Sequence, residues 1–225
     1  MVERPPGPPA DLDELLARAR GLAGRELAWV AGRHGVRVPA DLRRDKGWIG
    51  QLLELALGAT AASRAQPDFP HLGVELKSLP VDARGRPTQS TYVCTLPLDG
   101  TLEPSWAESW VRAKLSRVLW VPVLGDGDPG ARLVGTPLLW SPDAEEEAVL
   151  RRDWEGVAEL VVTGELWHLS AHHGEALQVR PKAARADDHA WVLGEEGAWV
   201  RDVPRGFYLR ASFTGAVLGR RLRLG

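Results

Sequence analysis

Cysteine and long apolar runs are what this sequence of 225 residues has least of. Its single cysteine, Cys94, excludes an internal disulfide framework and any zinc site built from several cysteines. No apolar run approaches the roughly 18 residues of a membrane-spanning helix. Residues 1–10 are rich in proline and have no apolar core, which excludes a signal peptide or transit peptide. We therefore expect a cytoplasmic protein with a flexible proline-rich tail at 1–10.

The chain also lacks the excess of positive charge that is typical of nucleic-acid-binding proteins, because its formal net charge is −2. Its charges are unevenly distributed, since residues 141–159 are acidic whereas arginines predominate beyond residue 180. This layout permits one face to bind a polyanion, although an ordinary solvated surface produces the same pattern.

Hydrophobic periodicity predicts both helices and strands within a single domain at 11–225. Helices are expected over 11–31, 48–57, 106–117 and from 142 to the glycine at 164. Strands are expected over 73–80, 91–96, 118–123, near 167, over 177–179 and over 207–209. This mixture predicts an α/β or α+β fold in which helices flank a central sheet.

Three charged residues stand close together around the first predicted strand. Glu75 and Lys77 alternate with Val74 and Leu76, so in a strand they share one face and lie about 7 Å apart. Asp68 comes just before this strand and can approach Glu75. An exposed strand face produces the same Glu-x-Lys pattern without any catalytic role, and the spacing alone does not separate the two interpretations.

The chemistry of phosphodiester hydrolysis explains why these three residue types would converge. A hard cation polarises the phosphate and lowers the pKa of the attacking water. Mg²⁺ prefers oxygen ligands and commonly takes one or two carboxylates, which Asp68 and Glu75 would supply. Lys77 would then orient the water or stabilise the charge that develops on the phosphate. The pattern predicts a metal-dependent nuclease that uses one or two Mg²⁺ ions.

Further sequence blocks carry a resemblance to a known family. In chain order they are RDKGWIG at 44–50, Asp68 with GVELK at 73–77, RVLW at 117–120, LLWSP at 138–142, RPKAA at 180–184 and PRGFYL at 204–209. This series resembles the MutH family of methyl-directed DNA mismatch repair. That family is related to type II restriction enzymes such as Sau3AI and shares their nuclease core.

The resemblance implies a restriction-endonuclease-like core with two subdomains around a DNA-binding cleft. It implies nicking of the unmethylated strand at hemimethylated GATC sites in double-stranded DNA, with Mg²⁺ as cofactor. It also implies activation by MutL and, indirectly, a link to MutS. A monomer is expected, because nicking one strand requires one active site.

Roles for individual residues follow from the same resemblance. Asp68 and Glu75 match the metal ligands, and Lys77 matches the catalytic lysine. Glu54 matches a further acidic residue of the site, although a solvent-exposed glutamate fits its helical position equally well. Lys114 matches a lysine near the scissile phosphate, and a solvated helix lysine is its alternative. Lys46 lies in the first block and could contact a DNA phosphate.

Two segments are candidates for reading the DNA sequence. Arg180, Pro181 and Lys182 form a basic stretch after a predicted strand, and arginine can form two hydrogen bonds to guanine in the major groove. Arg205 and Tyr208 belong to the second segment, where the resemblance points to Tyr208 as the residue that senses adenine methylation. A boundary position on a strand is the alternative for Tyr208.

Two other functions use similar sequences. A free-standing restriction endonuclease would cut both GATC strands without a partner, and its catalytic motif would be the same. A nuclease fold that only binds DNA would be expected to have lost a carboxylate or the lysine. All three residues, Asp68, Glu75 and Lys77, are present, which disfavours the second alternative.

Overall fold

A computed structural model describes residues 2–61, 66–98, 101–165, 173–182, 190–193 and 199–222. The α-helices are α1 (Leu12–Leu22), α2 (Leu27–Arg33), α3 (Trp48–Leu57), α4 (Trp110–Leu115), α5 (Ala144–Val162) and α6 (Ala211–Leu222). The strands are β1 (Glu75–Val81), β2 (Thr91–Thr95), β3 (Val118–Leu124), β4 (Leu133–Val134), β5 (Leu138–Trp140), β6 (Leu177–Pro181), β7 (Ala190–Leu193), β8 (Trp199–Asp202) and β9 (Arg205–Leu209). Among the described helices, none is both long enough and apolar enough to cross a membrane.

The chain divides into two compact units, and several segments contribute to each. Unit 1 contains Met1–Thr88, Ser116–Ser141 and Gly215–Gly225, and unit 2 contains Gln89–Leu115 and Pro142–Thr214. Each unit has its own sheet. The mixed α/β class expected from the sequence is confirmed, with the strands distributed over more than one sheet.

Unit 1 is built on a mixed sheet in which β3 is central. β1 runs parallel to β3, while β4 and β5 pair with β3 in antiparallel orientation. One face of this sheet packs on the first three helices, because the core contains Leu76 of β1 and Leu119 of β3 together with buried residues of α1, α2 and α3. Alternation along β1 turns Glu75 and Lys77 toward the opposite face.

The predicted helix over 11–31 is in fact two helices, α1 and α2. Gly24 lies between them with a φ of 76°, a left-handed conformation that glycine adopts without strain and that ends a helix. The apolar spacing continues through the break because both helices face the same core. Hydrophobic periodicity alone therefore predicts one continuous helix where the structure has two helices and a turn.

Residues 2–10 belong to unit 1 and contact its helices through a few polar groups; we call this segment the strap. Its Glu3 pairs with Arg33 of α2, and this contact lowers the pKa of Glu3 below its ordinary value. Pro9 is buried. Proline restricts the backbone of the unfolded chain, so ordering such a segment costs less conformational entropy than ordering a flexible one.

Unit 2 contains an antiparallel sheet with the order β2–β9–β6, and a separate hairpin of β7 and β8. Its long helix α5 begins with a capping box between Asp143 and Glu146, and Gly164 follows its end with a φ of 72°. The predicted end at Gly164 is therefore close to the observed one. The helix starts at Ala144, two positions later than the proline at 142 suggested.

Asp153 of α5 joins this helix to the start of β6. Its Oδ2 accepts hydrogen bonds from the backbone N–H groups of Glu175, Ala176 and Leu177 at 2.9, 2.6 and 2.9 Å. The carboxylate is buried, and three N–H donors compensate for the loss of its hydration.

The predicted helix over 106–117 is shorter than expected and consists of a 3₁₀ turn at Trp106–Glu108 followed by α4. The strand predicted near residue 167 lies outside the described residues.

Candidate active site and nucleic-acid interface

A closed loop brings Asp68 next to Glu75. Phe69 and Val74 exchange two backbone hydrogen bonds, of 2.9 and 3.2 Å, around the 3₁₀ turn at Pro70–Leu72. Asp68 and Glu75 are the next residues outward from this pair. The Asp68 Oδ2 then accepts a hydrogen bond of 2.7 Å from the backbone N–H of Leu76. The backbone thus places Asp68 and Glu75 at adjacent positions on the two sides of the turn.

Lys77 forms an ion pair with Glu75 on the face of β1 that points away from the helical core. The Lys77 Nζ lies 2.7 Å from the Glu75 Oε1, and the two side chains are 13% and 5% exposed. Buried ion pairs are rare among lysines and glutamates, because removing both charges from water is costly. The group is therefore not an ordinary solvated strand face.

The donors at this position suit a hard divalent cation. Asp68 and Glu75 are both buried, and the Lys77 Nζ lies beside the Glu75 carboxyl group. Mg²⁺ retains several of its waters and takes few protein carboxylates, so two are sufficient. Within the described ranges, no group of three or more histidine, cysteine, aspartate or glutamate side chains is assembled as a metal site. The two carboxylates fit the oxygen ligands that Mg²⁺ takes from proteins.

Glu54 and Lys46 both belong to the α3 region of unit 1. Glu54 lies in the last turns of α3 and is half-buried. Its carbonyl accepts a hydrogen bond from the Ala59 N–H at 2.9 Å, and the Thr60 N–H donates to the Asp68 carbonyl at 3.1 Å. Two backbone hydrogen bonds and the short segment between them therefore connect Glu54 with Asp68. Lys46 is exposed in the turn before α3.

Lys114 lies on α4, in unit 2. It is half-buried, and its Nζ is 5.8 Å from the centre of the Trp110 ring one helical turn earlier. A cation over an aromatic face is held in place while its charge persists. The contact with Trp110 orients the Lys114 side chain along α4, and a role near the phosphate stays a prediction.

The sheet of unit 2 gathers a second set of predicted residues. Tyr208 of β9 is paired with Tyr92 of β2 and with Gln178 of β6. The Arg180 guanidinium lies 5.8 Å from the centre of the Tyr208 ring, and its Nη1 donates a 2.6 Å hydrogen bond to Ser90. Arg180 is thus oriented by Tyr208 of β9 and by Ser90, the residue before β2.

Lys182 is held on the same face by β2. Its Nζ lies 4.1 Å from the centre of the Tyr92 ring and donates to the Tyr92 hydroxyl and, at 3.2 Å, to the Thr95 hydroxyl. The rings of Tyr92 and Tyr208 meet edge to face with their centres 5.4 Å apart. We call Tyr92, Arg180, Lys182 and Tyr208 the tyrosine–arginine face.

Pro181 and Arg205 are paired across β6 and β9. Alternation puts them on the face of the sheet opposite Tyr208, since Arg205 is three residues away from Tyr208 along a regular strand. The structure therefore brings Arg180, Lys182 and Tyr208 together and separates Arg205 and Pro181 from them.

Tyr92 and Thr95 also contact Lys182, and the sequence patterns did not predict either residue. Tyr92 is 90 positions from Lys182 in the sequence, and only the pairing of three strands brings the two together. Gly206 makes room for the Tyr92 ring, because a Cβ at Gly206 would lie 2.9 Å from the Tyr92 Cε2 and 3.0 Å from the Cys94 carbonyl oxygen. The glycine in the PRGFYL block is the one local signal of this close approach.

Burial raises the pKa of Tyr208 above its ordinary value, the nearby Tyr92 raises it further, and Arg180 lowers it. The raised pKa keeps the phenol protonated through the neutral range. Tyr208 can therefore both donate and accept a hydrogen bond at a base edge.

Comparison with known proteins gives a consistent result over nearly the whole chain. The family described as "DNA mismatch repair enzyme MutH" matches residues 57–153. A DNA mismatch repair protein MutH of Serratia proteamaculans is 51% identical over 217 residues, which cover 96% of this chain and 95% of the relative. MutH of Shewanella baltica strain OS155 is 50% identical over 215 residues, with 95% and 96% covered. MutH of Klebsiella pneumoniae is 51% identical over 219 residues, with 96% and 95% covered.

Proposed function

The chain belongs to the MutH family of DNA mismatch repair endonucleases, and on this premise we propose that it is a Mg²⁺-dependent nicking enzyme. Its substrate is hemimethylated GATC in double-stranded DNA, of which it cuts the unmethylated strand when MutL activates it. The observation that carries the proposal is the buried pair of Asp68 and Glu75, with the Lys77 Nζ 2.7 Å from the Glu75 carboxylate.

The residues of unit 1 would perform the chemistry. Asp68 and Glu75 hold the metal, and the half-buried Glu54 supports the site from α3. Bound Mg²⁺ would polarise the phosphate and lower the pKa of the water. Lys77 keeps its ammonium beside the Glu75 carboxylate, where it orients the attacking water and stabilises negative charge on the phosphate. Removing one such group commonly lowers the rate by about 10²- to 10⁴-fold.

Contacts with the DNA backbone are proposed for two lysines. The exposed Lys46 binds phosphate, and the phosphate contacts of such residues weaken as salt increases. Lys114, whose charge lies against Trp110, acts near the scissile phosphate. These residues position the strand and carry no sequence information themselves.

Sequence reading is proposed for unit 2. Arg180 presents a guanidinium already fixed by Ser90 and Tyr208, which suits paired hydrogen bonds to guanine. Tyr208, protonated in the neutral range, contacts the adenine amino edge, where an added methyl group displaces it. Lys182 acts beside them, while Pro181 and Arg205 contribute from the strand ends on the other face.

We further propose that the protein acts as a monomer.

Digestion of a supercoiled plasmid with one hemimethylated GATC site tests the proposal. In Mg²⁺ we expect an open circle nicked in the unmethylated strand, formed faster when MutL is added. Linear DNA as the main product at low enzyme, with no effect of MutL, would instead identify a free-standing restriction enzyme. No cleavage in any divalent metal, with DNA binding intact, would identify a binding module.

A further inference from the structure

The strap contacts the segments that carry the proposed metal ligands. Arg18 of α1 donates from Nη1 to the Gly7 carbonyl at 2.6 Å and to the Leu57 carbonyl, at the end of α3, at 3.1 Å. A 2.6 Å bond from Nη2 to Glu14 fixes the orientation of this guanidinium. One side chain thus joins the strap to the helix that carries Glu54.

A second contact reaches the loop between Asp68 and Glu75. The His71 Nε2 lies 2.6 Å from the Pro9 carbonyl oxygen. Because a carbonyl can only accept, the histidine must donate from this nitrogen. His71 belongs to the 3₁₀ turn that closes the loop, so the strap contacts the turn that links Asp68 to Glu75.

The fit of the strap on α3 is close. Gly58, which follows α3, has a φ of 80°, and a Cβ there would lie 2.3 Å from the Gly7 carbonyl oxygen and 2.9 Å from the Arg18 Nη1. Only glycine satisfies both the conformation and the contact. The strap prolines have no N–H groups, so this segment offers its neighbours carbonyl acceptors, and these are the atoms that Arg18 and His71 use.

We propose that the strap is a positioning element of the nuclease centre. Through their contacts with it, Arg18 and His71 fix the position of the end of α3 and of the Asp68–Glu75 loop. This inference rests on the proposed function, since it gives the strap a role in metal-dependent nicking. Arg18 and His71 act through Glu54, Asp68 and Glu75 and do not touch the substrate.

The test compares variants that differ in their ability to bind the strap. His71→Leu removes the donor, whereas His71→Gln keeps an N–H that can reach Pro9. Arg18→Met removes the link to Gly7 and Leu57, and Arg20→Met, at an exposed position on the same helix, is the matched control. Each variant is measured by amide hydrogen exchange and by the Mg²⁺ concentration that gives half-maximal nicking.

Exchange at the amides of Thr60, Ala61 and Leu76 should accelerate about threefold to tenfold in His71→Leu and Arg18→Met, as expected for the loss of a hydrogen bond. The amides of β3 should keep their protection, and the half-maximal Mg²⁺ concentration should rise. His71→Gln and Arg20→Met should behave as the wild type.

Two results would overturn the inference. Unchanged local exchange and unchanged Mg²⁺ dependence in both variants would show that the strap does not position the loop. Equal acceleration in β3 would show general destabilisation of unit 1. A wild-type chain that does not nick in any metal would refute the proposed function itself, whereas an active wild type with indistinguishable variants would refute only the role of the strap.

Discussion

Replacing Lys77 with methionine should separate the electrostatic role of this lysine from its packing. The Lys77→Met side chain keeps much of the volume but leaves Glu75, 5% exposed, without its ammonium partner. Removing one member of a buried ion pair costs about 3–5 kcal/mol, because the remaining charge is left without compensation. We therefore expect a loss of about 3 kcal/mol in the free energy of unfolding at neutral pH in EDTA.

The same variant should lose activity while metal binding strengthens. Nicking should fall by about 10²- to 10⁴-fold, because the group that orients water and stabilises the phosphate charge is absent. Mn²⁺ should bind more tightly, because two carboxylates without a competing ammonium attract a cation more strongly. The double variant Glu75→Gln, Lys77→Met should recover much of the stability, since it removes both charges together, and it should remain inactive.

Urea unfolding in EDTA, Mn²⁺ titration followed by electron paramagnetic resonance, and plasmid nicking are the three assays. The control is Arg152→Met, which breaks an ion pair with Glu175 whose side chains are 66% and 73% exposed. Such a pair contributes little, so stability and activity should not change. Nicking within tenfold of the wild type, or full stability in Lys77→Met, would refute the assignment of Lys77 as the charged partner of a buried metal site.

Four further predictions concern unit 2. Asp153→Ala should lower the free energy of unfolding, measured in urea, by about 3–5 kcal/mol, because it leaves three backbone N–H groups without their acceptor. The variant Asp143→Ala, which removes the N-cap of the same helix, should lower it by about 1 kcal/mol. Equal losses in the two variants would contradict this prediction. Gly206→Ala should push the Tyr92 ring away and weaken binding to GATC DNA more than binding to unrelated DNA. Equal weakening of both would show that Tyr92 has no role in sequence recognition by the tyrosine–arginine face. Tyr208→Ala should reduce discrimination between methylated and unmethylated strands. In the wild type this discrimination should stay constant from about pH 7 to 9, because the raised pKa of Tyr208 delays loss of the proton to higher pH; a decline within that range would contradict the role of the phenol.

Local patterns predicted the parts of the fold in which a segment's own sequence determines its structure. The helix over 48–57 was confirmed at both ends, because an apolar stripe and Gly58 define it. The segment over 11–31 was wrong as one helix, since periodicity continues through the turn at Gly24. Helix α6 was missed altogether.

In the candidate site, too, residues that are close in sequence were predictable and residues that are distant in sequence were not. Asp68, Glu75 and Lys77 lie within ten positions of one another, so strand alternation and a short loop were enough to predict that they come together. The tyrosine–arginine face depends on pairing among three strands that are distant in sequence. Tyr92 has no local signal as a site residue, and the positions of Arg205 and Pro181 on the opposite face follow only from the observed register.

Cleavage of a plasmid with a single hemimethylated GATC site, with the nicked strand identified by primer extension, tests the central claim most directly. The assignment predicts one nick, in the unmethylated strand, that requires Mg²⁺, is accelerated by MutL and disappears in Glu75→Ala, while DNA binding in Ca²⁺ persists. Cutting of both strands without MutL, or undiminished nicking by Glu75→Ala, would contradict it.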